Sequence, residues 1–301
     1  MSVHADPRPL ETPISGGEEG ATVTVEPIVT GRLRTPAILH SSPGGEVGKI
    51  KTLRSVGPEN PAIPIPAFLI HHPKAGPILV DTGLHPSVAS DPRENLGRFG
   101  AWLCQPEMEP GEDLPARLRA MGVAPSSIRL VLLTHLHVDH ASGIADFPEA
   151  TFIVTAAEWK EATGGLLPIL RGYRRQQYDY AFDFRTLDFN GDAVSSYATF
   201  GRTIDLFGDG SIRLASTPGH TAGHQSLIVR LKERDMVIAG DAIFRESQLE
   251  VGADLPGLMH DEHQYKRSLQ ELRLFQREYP DAVITAGHDP EFYENAPAKY
   301  E

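Results

Sequence analysis

The residues best suited to chemistry lie between positions 135 and 140, where three histidines and one aspartate occur within six consecutive positions: His135, His137, Asp139 and His140. Imidazole and carboxylate side chains are ligands for Zn, Fe, Mn and Co. Side chains two residues apart in extended backbone point the same way, so His135 and His137 can face one point, while Asp139 and His140 face a second point nearby. The alternative is a polar loop that is merely rich in histidine. The apolar run that precedes the cluster favours a metal site instead.

The elements that position these residues are predicted strands, each of which ends beside a ligand-type residue. They are 128–133 before the histidine cluster, 212–216 before Thr217-Pro218-Gly219-His220, 236–240 before Asp241, and 282–287 before His288. Catalytic and binding residues of α/β proteins are commonly found on loops at the carboxyl ends of strands. A single histidine at a strand end is more often structural. Four such strand ends favour one shared site.

Together these motifs resemble the metallo-β-lactamase superfamily over about residues 60–295. The matching elements are the Asp81-Thr82-Gly83 turn, the His-x-His-x-Asp-His run, the Pro-Gly-His-Thr turn, Asp241 and the closing Gly287-His288. The resemblance implies an α/β fold of the αββα sandwich type with two adjacent divalent metal ions, for which zinc is the expected metal and Fe, Mn or Co are alternatives. It assigns His135, His137 and His220 to one ion, Asp139, His140 and His288 to the other, and Asp241 to the bridge between them. It also implies supporting roles outside the ligand set for Asp81 and His224.

Composition predicts one globular domain over residues 21–301, preceded by a flexible arm over residues 1–20, which are rich in proline and glycine. Hydrophobic residues make up 40% and charged residues 23% of the chain, which is ordinary globular content. Its apolar runs are shorter than the ~20 residues of a membrane helix, which argues against a membrane protein. Cys104 is the only cysteine, so no internal disulfide is possible and a reducing cytoplasm is expected. The net charge of −12 argues against a nucleic-acid partner.

The segment 165–200 is predicted to be an insertion that covers the metal site. It interleaves aromatic residues with arginines, and small-molecule sites are mostly apolar and aromatic with a few polar anchors. Tyr173 and Tyr178 of this segment, together with Phe244 and His260, are therefore candidates for the substrate pocket. The alternatives for the segment are a peripheral helix on the sandwich and the contact of a homodimer.

The ligand set predicts hydrolysis of a small molecule. Two cations can share a water molecule and lower its pKa, and one of them can polarise the oxygen under attack. Asp139 and Asp241 are the candidate catalytic carboxylates: Asp241 bridges the ions, and Asp139 has a second oxygen that can carry a proton to the leaving group.

Within the superfamily, residues 217–227 most resemble the N-acyl-homoserine lactonases, which open a lactone ring in quorum quenching. One position departs from that branch, because its usual tyrosine three residues after the bridging aspartate is Phe244 here, which has no hydrogen-bond donor. Aryl-ester or phosphotriester hydrolysis, known in sister branches with more apolar pockets, is therefore the main alternative. A glyoxalase-II-like thioesterase would need a basic glutathione-binding cluster that the C-terminal sequence does not show. A persulfide-dioxygenase-like protein would hold one iron with two histidines and an aspartate.

Overall fold

Two β-sheets lie face to face in the computed structural model, which describes residues 4–36, 57, 60–165, 168–180 and 182–301. The strands of the first sheet are β1 (Arg8–Pro9), β2 (Thr24–Arg34), β3 (Ala62–His72), β4 (Gly76–Val80), β5 (Pro106–Glu107), β6 (Leu130–Leu132), β7 (Thr151–Thr155) and β8 (Asp183–Leu187). Their order across the sheet is β1-β8-β7-β6-β4-β3-β2-β5. The neighbours β4, β6, β7 and β8 run parallel.

The second sheet is mostly antiparallel. Its strands are β9 (Ser195–Tyr197), β10 (Phe200–Asp205), β11 (Ile212–Ser216), β12 (Gln225–Arg230), β13 (Asp235–Ile238) and β14 (Val283–Thr285). They follow the order β14-β13-β12-β11-β10-β9, and only β13 and β14 pair in parallel. The hairpin that Gly208-Asp209-Gly210 predicts is present, since β10 pairs antiparallel with β11 across this turn.

Helices form the outer layers of the molecule. Within the described residues they are α1 (Pro92–Cys104), α2 (Leu114–Ala120), α3 (Ala156–Thr163), α4 (Glu262–Glu278) and α5 (Pro290–Asn295). The apolar stripe of Tyr265, Leu269, Leu272 and Phe275 predicts a helix over 261–278, and α4 is found there. It begins after Asp261, whose side chain accepts the Gln264 N–H. In the part of the chain that the structure describes, no helix has both the length and the apolar composition needed to cross a membrane.

Alternation along the strands separates the core into layers. In β3, Phe68 and Ile70 face the cluster between the two sheets, whereas Ala67 and Leu69 face the opposite side of the first sheet. Helix α2 packs on that opposite side, and helix α4 packs on the outer side of the second sheet. The order helix, sheet, sheet, helix confirms the predicted αββα sandwich.

The N-terminal residues lie against the sandwich, although the sequence predicted a flexible arm there. Strand β1 pairs with β8, and the Ile14 N–H donates to the Leu206 carbonyl at 2.8 Å. Leu10 and Ile14 also pack against the core between the sheets. Backbone hydrogen bonds and two apolar side chains isolated among prolines and glycines thus hold this segment, and the sequence pattern alone does not show these contacts. Residues 1–3 lie outside the described residues.

The segment 165–200 is only in part a cover for the ligand cluster. Residues 183–187 and 195–197 are strands of the two sheets, so they belong to the sandwich. The part that reaches the cluster is 168–173, where Gly172 accepts the Val138 N–H at 3.0 Å. The aromatic residues after 182 are therefore core residues, and their pattern resembled that of a pocket because both environments are apolar. Residues 166, 167 and 181 lie outside the described residues.

Candidate metal centre

The loops that follow β6, β11, β13 and β14 meet at one edge of the sandwich and bring all the predicted ligands together. Their ligand atoms form three overlapping groups, each within 4.8 Å: His135, His137 and His220; His135, His140 and Asp241; Asp139, His140 and His288. We call the first of these the first metal group and the third the second metal group. The parallel pairing of β13 with β14 places Ile238 opposite Thr285, which explains why Asp241 and His288 leave the sheet side by side.

Asp241 lies between the two groups. Its Oδ2 is 3.2 Å from His220 Nε2 in the first group, and its Oδ1 is 3.2 Å from His288 Nε2 in the second. Oδ1 is also 3.4 Å from His140 Nε2. Oδ2 is in addition 3.3 Å from His288 Nε2, so the carboxylate contacts both groups, as a ligand shared by two cations would.

Hydrogen bonds on the far side of the rings fix the histidine tautomers. His135 Nδ1 lies 3.0 Å from the Thr134 hydroxyl, His140 Nδ1 lies 2.7 Å from Asp81 Oδ2, and His288 Nδ1 lies 2.9 Å from the Pro64 carbonyl. A proton on Nδ1 leaves the lone pair on Nε2, the atom that faces the cluster. Metal-binding histidines are usually oriented in this way.

The residues fit a pair of divalent cations. His135 Nε2, His140 Nε2 and Asp241 Oδ1 are buried and have no hydrogen-bond partner among the described residues. Buried polar atoms are normally satisfied, so several unsatisfied atoms that face one another indicate a missing ligand. Imidazole and carboxylate are also the donors that such cations prefer.

Electrostatics agrees with this assignment. Burial lowers the pKa of His137 to about 4 and holds the pKa values of His135 and His220 well below their usual range. The first metal group therefore offers neutral imidazoles at neutral pH. In the second metal group burial is outweighed by nearby carboxylates, Asp81 foremost for His140 and Asp241 for His288, so the pKa values of both rings are raised. Although burial opposes it, the positive charges of His288 and His140 hold the pKa of Asp241 well below its usual range, so this carboxylate is ionised.

Asp81 braces the ligand loop from the end of β4. Its Oδ1 accepts the Thr134 N–H at 2.8 Å, and its Oδ2 accepts the Thr134 hydroxyl at 2.8 Å in addition to facing His140. The Asp81 backbone has a φ of 57°, in the left-handed region that non-glycine residues rarely occupy. Such strain is retained where surrounding contacts require it.

His224 supports Asp241 and lies outside the three ligand groups. Its Nε2 accepts the Asp241 N–H at 3.0 Å, and its Nδ1 lies 2.9 Å from the Thr217 hydroxyl. Burial lowers the pKa of His224 to about 3, so the neutral ring can accept that N–H. The structure thus places His220 in the cluster and His224 behind Asp241.

The predicted pocket residues separate into two kinds. The ring of Phe244 is 5.3 Å from the rings of both His220 and His288. The Tyr173 ring is 4.9 Å from His137, and the backbone N–H of His260 donates to the carbonyl of His220 at 3.0 Å. These three residues border the cluster.

Tyr178 does not border the cluster, although the aromatic pattern predicted a pocket position for it. Its side chain is fully buried, and its hydroxyl donates to the Ala162 carbonyl at 2.9 Å. Tyr178 packs instead against Trp159 of α3. The sequence pattern alone does not distinguish an aromatic residue of the protein core from one that lines a substrate pocket.

Glu158 is a buried residue beside the site that the sequence pattern does not reveal. Its carboxylate accepts backbone N–H groups from both loops that carry the first metal group. The available signal is Thr155-x-x-Glu158, which is typical of a helix N-terminus and does not show where the carboxylate points.

The family model of the metallo-beta-lactamase superfamily matches residues 61–288, a range that contains every predicted ligand. The chain is 34% identical over 243 residues to the N-acyl homoserine lactonase AttM of Rhizobium radiobacter, a match that covers 77% of this chain and 84% of that protein. It is also 34% identical over 252 residues to AttM of Azorhizobium caulinodans, with 79% and 88% covered.

The fold has solved counterparts. A mutant of AiiA from B. thuringiensis, with N-decanoyl-L-homoserine bound at its active site, superposes with a TM-score of 0.72 at 21% identity. The superposition covers 92% of this chain and 97% of the other. At this identity the likeness shows the shared fold.

Proposed function

Because this chain belongs to the metallo-beta-lactamase superfamily, we propose that it is a dinuclear metal-dependent hydrolase that opens the lactone ring of N-acyl homoserine lactones. The observation that carries the hydrolase assignment is the cluster in which Asp241 faces both metal groups while buried ligand atoms lack partners. The lactone assignment rests on the similarity to the two AttM lactonases.

The predicted ligands would form two sets around Asp241. His135, His137 and His220 would hold one cation, Asp139, His140 and His288 the other, and Asp241 would lie between them. Two cations bound there lower the pKa of a water molecule and polarise the carbonyl under attack. We propose zinc as the metal, since histidine-rich sets with a carboxylate are typical of zinc hydrolases.

Asp139 is the carboxylate that we propose to carry the proton to the leaving oxygen. Its Oδ2 is 3.5 Å from His288 Nε2 and 3.8 Å from His140 Nε2, so it reaches the second metal group. Its side chain is 14% exposed, against 4% for Asp241. Asp139 is thus the cluster carboxylate that a substrate can approach, which a general acid requires.

Phe244 supports a second candidate, hydrolysis of an aryl ester or phosphotriester. The ring lies against His220 and His288 and presents no donor to a substrate carbonyl. The two tyrosines predicted for the pocket do not replace this donor, because the Tyr178 hydroxyl is bonded to the Ala162 carbonyl, and burial together with the charge of Glu158 raises the pKa of Tyr173. An apolar wall of this kind suits an apolar leaving group.

One assay separates the two candidates. Metal-loaded protein is tested on a short-chain and a long-chain N-acyl homoserine lactone, an aryl ester and a phosphotriester, with metal-free protein as the control. We expect the highest kcat/KM on a lactone. A higher value on the aryl ester or the phosphotriester would contradict the lactonase assignment and support the second candidate.

We also propose a cytoplasmic location, for which the support is Cys104. It is the only cysteine of the sequence and is buried as a free thiol, as is usual in a reducing compartment.

A further inference from the structure

The side chain of Glu158 connects two loops that belong to different sheets. Its Oε1 accepts the N–H of Leu136 at 3.0 Å, between the ligands His135 and His137. Its Oε2 accepts the N–H of Gly223 at 3.1 Å, in the loop that carries His220. The first of these loops follows β6 in the first sheet and the second follows β11 in the second sheet.

The start of helix α3 holds the same loop by a second contact. The Thr155 hydroxyl accepts the Glu158 N–H at 3.0 Å and donates to the Gly223 carbonyl at 2.7 Å. Both polar backbone groups of Gly223 are thus bound by α3. A Cβ atom at Gly223 would lie 2.1 Å from the Glu158 nitrogen, so only glycine allows this approach.

The carboxylate of Glu158 does not cap the N-terminus of its own helix. A glutamate at this position after a threonine cap usually bonds back to the cap N–H, whereas here both oxygens bond to the ligand loops. The side chain is fully buried. Burial raises its pKa, although donors from Thr221, Leu136, Tyr173 and Gly223 oppose the shift. A buried carboxylate that satisfies donors on two loops fixes the distance between those loops.

We propose that Glu158 is a positioning residue of the first metal group, which sets the separation of His135 and His137 from His220 across the two sheets. Two ligands of the second metal group are held by other contacts, because His140 is held through Asp81 and His288 through Pro64. Loss of the Glu158 carboxylate therefore weakens metal binding at the first group selectively. The inference concerns the metal site that the proposed function uses, and it holds whichever substrate is hydrolysed.

The test measures Co²⁺ affinity by titration of metal-free protein in two single-site backgrounds. His288→Ala leaves the first group intact, and His220→Ala leaves the second group intact. We expect Glu158→Gln to weaken Co²⁺ binding by ~10–100-fold in the His288→Ala background, as is usual for residues that orient ligands, and by less than ~3-fold in the His220→Ala background. The visible absorption spectrum of bound Co²⁺ should change in the first background only.

Glu271→Gln is the matched control, because Glu271 is another helix glutamate that accepts a backbone N–H, from Gly201, and burial also raises its pKa. It should leave both affinities unchanged. Equal weakening in the two backgrounds, or unchanged affinity at the first group, would overturn the proposal. Because the titration measures metal affinity and not hydrolysis, a failed lactone assay would contradict the proposed function without contradicting the role of Glu158.

If Glu158→Gln does not give folded protein, Tyr173→Phe tests the same positioning role. It removes the hydroxyl group that favours the charged form of the Glu158 carboxylate, and it keeps the ring against His137. We expect a smaller loss of Co²⁺ affinity, of about 3–10-fold, in the His288→Ala background only. A loss in both backgrounds, or in neither, would contradict the assignment.

Discussion

Asp241 is the residue on which both metal groups depend. Its two oxygens lie 3.2 Å from His220 and from His288, and its N–H is held by His224. Asp241→Asn keeps the shape of the side chain but removes the charge between the two cations. We predict at least ~100-fold lower hydrolysis, as is usual for loss of a principal electrostatic group. The measurement is kcat/KM under saturating metal, and near-normal turnover on every substrate class would contradict a bridging role.

We propose that Phe244, whose ring contacts His220 and His288, determines which substrate class the site favours. In a lactonase, Phe244→Tyr would supply one hydrogen bond in the transition state and raise lactone turnover by up to ~10-fold, equivalent to about 1.4 kcal/mol. For an apolar ester or phosphotriester the new hydroxyl would need a partner in a dry pocket, and activity should stay equal or fall. The two proteins are compared on a short-chain lactone, a long-chain lactone and an aryl ester. A wild type that is fast on lactones and slowed by the tyrosine would show that this interpretation is wrong.

At the residue scale the sequence predicted the types of the ligand residues, because coordination depends on side-chain chemistry, and the family resemblance implied how they divide into two groups. It did not predict what Glu158 and Tyr178 contact. The carboxylate of Glu158 bonds to residues 22 and 65 positions away, and Tyr178 is directed into the core by packing against α3. Both depend on tertiary contacts that local patterns do not contain.

Among the elements, the short turn at 144–146 after the ligand loop carries a half-buried acid. Asp146 Oδ2 has no hydrogen-bond partner among the described residues, and Oδ1 lies 3.8 Å from His85 Nε2. Burial raises the pKa of Asp146 from 3.8 to about 6, although His85 opposes the shift. The folded state therefore favours the protonated form, and stability falls as the pH rises from about 4 through about 6.

Asp146→Asn removes this titration. We predict that the variant melts about 2–4 °C above wild type at pH 8 and within about 1 °C of it at pH 4. Melting curves are measured in chelator, so that release of metal in acid does not contribute. The exposed Asp192→Asn serves as the control and should show no pH-dependent difference. An Asp146→Asn gain that is the same at both pH values would exclude titration as its cause.

Strand and helix positions were predictable where apolar periodicity is long, as in α4 and in the hairpin of β10 and β11. Two elements were not. The contact of residues 8–14 with β8 and β10 depends on few apolar side chains, and residues 183–187 resemble a pocket lining in composition although they pair with β7. In both cases the partner is far away in the sequence, so composition alone favoured the wrong environment.

For the whole molecule, the metal centre joins the two sheets. Its ligands come from both halves of the sandwich, and metal ions bind the folded site far more strongly than the unfolded chain. We predict that chelation lowers Tm by at least about 5 °C, since a well-occupied site adds several kcal/mol. Calorimetry with and without chelator measures this difference. Restoring zinc should recover Tm, and an unchanged Tm on chelation would contradict a metal centre that joins the sheets.

Metal content per chain tests the central claim most directly. Protein purified without chelator and saturated with zinc is analysed for metal, in parallel with His288→Ala. The arrangement of two groups around Asp241 predicts two ions per chain in the wild type and one in the variant. A wild type that saturates at one ion per chain would contradict the dinuclear centre and the mechanism built on it.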